Sequence, residues 1–128
     1  MQRPRVLVVE DQADLRKLIA LTLGGERYEL FEATDGTAAL ESCARLRPAL
    51  VLLDLMLPGE LDGIDVCRRL RADPELRELK VVLLTAADQA VQRARAADAG
   101  VDRYFPKPFS PRALRELVDS LLVAPAGD

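Results

Sequence analysis

The chain has 128 residues, 49% hydrophobic and 30% charged, with a formal net charge of −3. That is a usual size for one domain, able to bury roughly two-thirds of its unfolded surface, and the near balance of charge argues against a dedicated nucleic-acid-binding face. It contains no histidine, which excludes Ser-His-Asp triads, His-based acid–base catalysis and nearly every zinc hydrolase site.

The first predicted strand is Val6–Val9, in "VLVVED". The N-terminus runs straight into it without a small-residue cleavage site, so no signal peptide is read there. No apolar run approaches the ~20 residues that span a bilayer, and the expectation is a cytoplasmic protein that binds no membrane. Asp11 or Gln12 caps a helix with Leu15, Leu18, Ile19 and Thr22 on one face, ended by Gly24-Gly25. Tyr28–Ala33 is a second strand. "TDG" then opens a helix bearing Leu40, Cys43, Ala44 and Leu46, stopped by Pro48.

Ala49–Leu55 is a third strand, almost wholly apolar until Asp54. The loop "MLPGELDG" leads to a helix with Ile64, Cys67 and Leu70, ending before Asp73-Pro74. Lys80–Thr85 is the fourth strand, and an Ala-rich helix over 87–99 closes at Gly100. That helix offers Ala90, Val91, Ala94 and Ala97 where the others offer leucines, so it is expected to bury the least apolar area. Asp102–Phe105 is a short fifth strand. Ser110-Pro111 is an N-cap followed by a first-turn proline, with Leu114, Leu117, Val118, Leu121 and Leu122 facing inward. Cys43 and Cys67 fall in separate helical stretches and read as small buried apolar residues.

Five strand–helix units imply an α/β fold with a doubly wound, five-stranded parallel sheet. Strands one, three and four are continuously apolar, as central parallel strands are. Strand two alternates and strand five carries Arg103, which suits edges. The order 2-1-3-4-5 fits, with its switch point between strands one and three, where ligands bind beyond the carboxyl ends. The expected domain is residues 1–123, with 124–128 a short tail or the start of a linker.

Three carboxylates, Glu10, Asp11 and Asp54, converge on that switch point. Adjacent charges at the end of a core strand resist desolvation, and a hard divalent cation with oxygen ligands, Mg²⁺, neutralises them. Acidic residues at strand ends also serve as helix caps. Thr85 ends strand four and Lys107 follows strand five at the same edge. A carboxylate, a hydroxyl, an ammonium and a metal are the parts of phosphoryl transfer: Asp54 as nucleophile, with Mg²⁺, Lys107 and Thr85 stabilising the phosphoryl oxygens.

The ordered set "VVED", "VLLDLMLPG", "LLTA" and "YFPKPF" resembles the receiver domain of two-component response regulators, from Arg5 to about Val123. The resemblance implies that Asp54 is the phosphoacceptor, Asp11 a direct Mg²⁺ ligand, Glu10 an acid acting largely through water, and the Met56 carbonyl a backbone ligand. It implies that Thr85 and Lys107 sense the phosphate, that Tyr104 changes rotamer with Thr85, and that Lys107-Pro108 is cis. It implies a histidine kinase or histidine phosphotransfer protein as donor, and output through the fourth helix, fifth strand and fifth helix to an effector domain or protein. The chain then catalyses only its own phosphorylation and dephosphorylation. Two departures stand out. "PGELDGI" is one residue longer than the family's common "PGMDG" loop, and Arg103 replaces an Asp frequent on a shared dimer face, leaving a homodimer open.

Rival readings are weighed by the same residues. A Mg²⁺-dependent phosphohydrolase with an Asp nucleophile needs a second Asp two residues on, where this chain has Met56. A flavin or nucleotide binder needs a Gly- or hydroxyl-rich loop after strand one, where "EDQADLR" is acidic. A degenerate, partner-binding receiver is opposed by the intact set of Glu10, Asp11, Asp54, Thr85 and Lys107. A stand-alone regulator, a relay intermediate and a domain excised from a longer regulator are all compatible with the sequence.

Overall fold

A computed structural model describes residues 3–86 and 90–122. The expected tail, 124–128, and the expected first turn of the fourth helix, including Ala87, lie outside the described residues. The elements follow in strict alternation: β1 (Arg5–Val9), α1 (Ala13–Leu23), β2 (Glu29–Ala33), α2 (Gly36–Leu46), β3 (Leu50–Asp54), α3 (Gly63–Ala72), β4 (Lys80–Thr85), α4 (Ala90–Ala99), β5 (Arg103–Pro106) and α5 (Pro111–Leu122). The sheet is five-stranded and parallel throughout, in the order β2-β1-β3-β4-β5. Strand boundaries differ from the sequence reading by a residue or two. Tyr28 precedes β2, and β5 extends to Pro106.

The period of two along the buried strands divides the core. Val6, Val8, Leu50, Leu52, Val82 and Leu84 face α1 and α5, meeting Ile19, Leu23, Leu114 and Val118. Leu7, Val9, Val51, Leu53, Val81 and Leu83 face the opposite layer, meeting Ala39, Cys43, Ile64, Cys67, Leu70, Ala96 and Ala99 from α2, α3 and α4. A sheet covered on both faces requires such apolar runs. Both cysteines are buried and free, and burial pushes the Cys43 thiol up to about 12. They pack as small apolar residues.

Helix starts carry their own acceptors. Asp35 accepts from the Ala38 N–H at 2.8 Å, Asp62 and Asp65 form a reciprocal capping box, and Ser110 Oγ accepts from the Ala113 N–H at 3.0 Å. At α1 the cap is Gln12, whose side chain makes no capping bond.

Several inner faces differ from the periodicity reading. In α1 the buried residues are Ile19 and Leu23, while Leu18 is 41% exposed and lines a shallow cleft with Leu15, Ala86, Lys107, Pro108 and Phe109. In α2 the buried positions are Gly36, Ala39 and Cys43, and Ala44 faces solvent. In α4, Val91 is 68% exposed and Ala94 and Ala97 are exposed, whereas Ala96 and Ala99 enter the core. The expected paucity of apolar burial in α4 therefore holds, on a different face.

Two clusters of polar contacts join elements at the end remote from the acidic residues. Arg71 donates to the carbonyls of Gly100, Arg77 and Leu79 and to the Asp102 carboxylate, fixing the C-terminal end of α4. Tyr28, buried between α1 and β2, donates its hydroxyl to Asp119 of α5, which also pairs with Arg27. Burial alone would raise the Asp119 pKa. The Tyr28 and Arg27 hydrogen bonds outweigh it and hold the carboxyl below its ordinary 3.8. A lowered folded value contributes stability above the unfolded value and loses it as pH falls through the folded one. Urea titrations should show Asp119→Asn less stable than the parent near neutral pH, with the gap closing as the pH falls below the ordinary 3.8 and through the lowered folded value. A gap that persists in acid would refute the ionic role.

Candidate phosphoryl-transfer site

Register assembles the site. Val9 pairs with Leu53, so the next residues along, Glu10 just past β1 and Asp54 at the end of β3, lie side by side. Asp54 pairs with Leu84, setting Thr85 one step beyond, and Thr85 pairs with Pro106, setting Lys107 one step further. The Lys107 N–H donates to the Thr85 carbonyl at 2.8 Å, which ties the β5–α5 turn to the end of β4. The Lys107-Pro108 peptide is cis.

Glu10 and Thr85 are fully buried and Asp54 is 5% exposed, while Asp11 faces solvent. One carboxylate oxygen from each of Glu10, Asp11 and Asp54 lies within 4.8 Å of the others. Lys107 Nζ is 2.9 Å from Glu10 Oε1 and 3.3 Å from Asp54 Oδ1. The Glu10 carboxylate also accepts from the Gln12 N–H at 3.1 Å. Burial raises the Glu10 pKa and the Asp54 charge adds to this, against the opposing bonds from Lys107 and Gln12. Burial would lower the Lys107 pKa, but the Glu10 hydrogen bond and the charges of Asp54 and Glu10 leave it raised. One ammonium against three carboxylates leaves a charge deficit that a hard divalent cation with oxygen ligands fits.

Each residue named from sequence has a definite place. Glu10, Asp11, Asp54 and Lys107 converge, and Thr85 joins them at the strand ends. Met56 follows β3, is 68% exposed, and donates its N–H to Asp54 Oδ1 at 3.4 Å. Tyr104 stands apart from the cluster. It is half-buried, pairs in register with Leu83, and carries the Arg93 guanidinium 4.6 Å from its ring centroid.

Sequence reading missed two supports. Gly63 opens α3 directly beneath the end of β3, where a Cβ would lie 2.5 Å from the Asp54 carbonyl oxygen. Arg16 donates Nη1 to the Glu10 carbonyl at 2.9 Å and Nε to Glu32 Oε1 at 2.7 Å. A signal for Arg16 existed, because a cation in the first turns of a helix opposes the macrodipole unless anionic or carbonyl groups receive it.

The family description "response regulator receiver domain" matches residues 6–119. Among curated proteins, the chain is 46% identical over 112 residues to the DNA-binding response regulator MtrA of Mycobacterium tuberculosis, covering 88% of this chain and 47% of that protein. It is 40% identical over 118 residues to the transcriptional regulatory protein ResD of Bacillus subtilis, covering 92% of this chain and 48% of that one. The chain thus spans about half the length of these relatives. Among solved structures, the BeF3-activated N-terminal receiver domain of Klebsiella pneumoniae RstA superposes with a TM-score of 0.84 at 33% identity, covering 94% of this chain and 99% of that one. The chemotaxis protein CheY4 of Vibrio cholerae shares the fold, with a TM-score of 0.88 at 23% identity over 94% of this chain and 100% of that one.

Proposed function

This chain belongs to the response regulator receiver domain family, a family of phosphoryl-accepting signalling switches, and we propose that its acceptor is Asp54. The observation that carries this reading is the pairing of a nearly buried Asp54 with Lys107 at 3.3 Å beside two further carboxylates. Glu10, Asp11 and Asp54, with the Met56 carbonyl, would hold Mg²⁺, which when bound neutralises charge on the phosphoryl oxygens. Asp54 Oδ attacks phosphorus, the bond from phosphorus to the donor nitrogen breaks, and the imidazole leaves, giving an aspartyl phosphate. Lys107 then pairs with a phosphoryl oxygen and Thr85 donates its hydroxyl.

The donor in this reading is a phosphohistidine on a histidine kinase or histidine phosphotransfer protein, as membership of the receiver family suggests. Met56, two residues past the acceptor, offers no proton transfer, so the domain acts as a switch and not as a turnover phosphohydrolase. Movement of Thr85 toward the phosphate would free space for Tyr104 and shift the population of α4–β5–α5 arrangements. Output passes to an effector domain or protein. The DNA binding named for MtrA is that whole protein's property, and the near-balanced charge of this segment supports contact with a protein in place of nucleic acid. Among the described residues no helix is long and apolar enough to cross a membrane, and two free buried thiols accord with a reducing cytoplasm.

The test is intact-protein mass after incubation with acetyl phosphate, with Mg²⁺ or with EDTA. One phosphoryl adduct, formed only with the metal and mapped to the peptide carrying Asp54, is expected. Absence of an adduct while Mg²⁺ still binds would favour the degenerate, partner-binding reading.

A further inference from the structure

We infer that Arg16 is a positioning residue for the acidic pocket, acting on the backbone of the β1–α1 turn and not as a countercharge. The inference rests on the reading of Glu10, Asp11 and Asp54 as the metal-holding set. The turn at Glu10–Gln12 must present two carboxylates toward one point although they repel each other. It lacks the usual brace, because the Gln12 side chain makes no capping bond.

Arg16 supplies that brace. Its guanidinium spans three elements: it grows from the second turn of α1, reaches Glu32 at the β2 edge at 2.7 Å, and donates to the Glu10 carbonyl at 2.9 Å. The Arg16 side chain is 20% exposed, and its own N–H donates to the Gln12 carbonyl at 3.0 Å, the bond that opens the helix. Besides the Glu10 N–H, which donates to the Ala33 carbonyl at 3.1 Å, the turn is restrained by the Gln12 N–H on Glu10 Oε2 at 3.1 Å. That bond and the Lys107 bond both use the Glu10 carboxylate, the group a metal would recruit. The Arg16 bond uses the carbonyl, so it persists whichever way the carboxylate turns.

Charge and position predict opposite signs. A guanidinium near a cation site repels the cation, so if Arg16 acts only through charge, its removal tightens Mg²⁺ binding. If it acts through geometry, removal loosens the turn and weakens binding, and loss of such supporting partners costs about tenfold or more in metal affinity. Lysine separates the two further, since it keeps the charge but not the two-pronged planar donor.

The experiment is calorimetric titration of Mg²⁺ into the metal-free protein, its Asp11→Asn variant, Arg16→Met and Arg16→Lys, each checked for fold by circular dichroism. The expected results are measurable binding by the parent, its loss in Asp11→Asn, and affinity weakened about tenfold in both Arg16 variants. Hydrogen exchange in the metal-free state should rise at the Gln12 and Ala13 amides in Arg16→Met and stay unchanged in α5. Equal or tighter binding by Arg16→Met would overturn the proposal, as would parental affinity in Arg16→Lys. Failure of the parent to bind Mg²⁺ would instead remove the metal reading on which it stands.

Discussion

Asp54→Asn should take up no phosphoryl group from acetyl phosphate and Mg²⁺, and in metal-free buffer should unfold at a higher urea concentration than the parent. Loss of uptake follows from chemistry: an amide keeps the shape of the side chain but is a poor nucleophile. The neighbouring carboxylates are poor substitutes, because Glu10 is fully buried with both oxygens engaged by Lys107 and Gln12, and Asp11 faces solvent. The gain in stability follows from crowding. Three carboxylates have oxygens within 4.8 Å of one another, and a single ammonium lies among them. Removing one negative charge from such a set relieves about 1 kcal/mol or more of repulsion. It also removes a charge that raises the Glu10 pKa. Mg²⁺ should reverse the order, stabilising the parent more than the variant. Paired urea titrations with Mg²⁺ and with EDTA read this directly. A variant less stable than its parent without metal would make Asp54 a structural residue, and a persistent adduct would place the acceptor elsewhere.

The strands were legible because a doubly covered parallel sheet needs unbroken apolar runs, and "VLVV", "LVLL" and "VVLL" are such runs. Their order followed from the polar residues in β2 and β5. Once order and register are set, the acids at the ends of β1 and β3 have no other place to go. Helix phase was harder to read. On α1 the stripe read through Leu15 and Ile19 does meet the core and continues to Leu23, whereas Leu18, read on the same face, is 41% exposed. In α4, alanines occur on every face, so composition announced weak burial without saying which residues were buried. Least legible were contacts made by long side chains across the chain. Arg71 at the end of α3 reads as a solvated charge, yet it fastens the α4–β5 turn. Arg16, whose place near a helix N-terminus calls for some acceptor without naming it, bonds the Glu10 carbonyl in the turn that carries Glu10 and Asp11. Their partners lie 6 to 31 residues away, mostly backbone carbonyls that have no side-chain signature.

Gly63→Ala is expected to strike stability and phosphoryl uptake together, because the space it occupies adjoins the backbone of Asp54, the proposed acceptor. An alanine Cβ there would lie 2.5 Å from the Asp54 carbonyl oxygen, 2.8 Å from Leu83 Cδ1 and 3.0 Å from Leu55 Cα. Leu83 can rotate away, but the two backbone atoms belong to the end of β3 and its first loop residue. They are held by bonds from the Gly63 N–H to the Leu55 carbonyl and from the Leu55 N–H to the Leu84 carbonyl, both 2.9 Å. Relief therefore requires the start of α3 and the end of β3 to separate. Overpacking of this kind costs about 1–3 kcal/mol, and it displaces Asp54 from Lys107 and from the acids of β1. Gly59→Ala, in the same loop, is the informative comparison. Gly59 has φ of 90° and nothing within 4 Å of where an alanine Cβ would sit, so its substitution costs about 1–2 kcal/mol of left-handed strain and leaves the Asp54 carbonyl untouched. Urea midpoints should fall in both variants, while the rate of adduct growth by mass should drop only in Gly63→Ala. An unchanged rate in a destabilised Gly63→Ala protein would mean that the acceptor tolerates displacement of its own strand end.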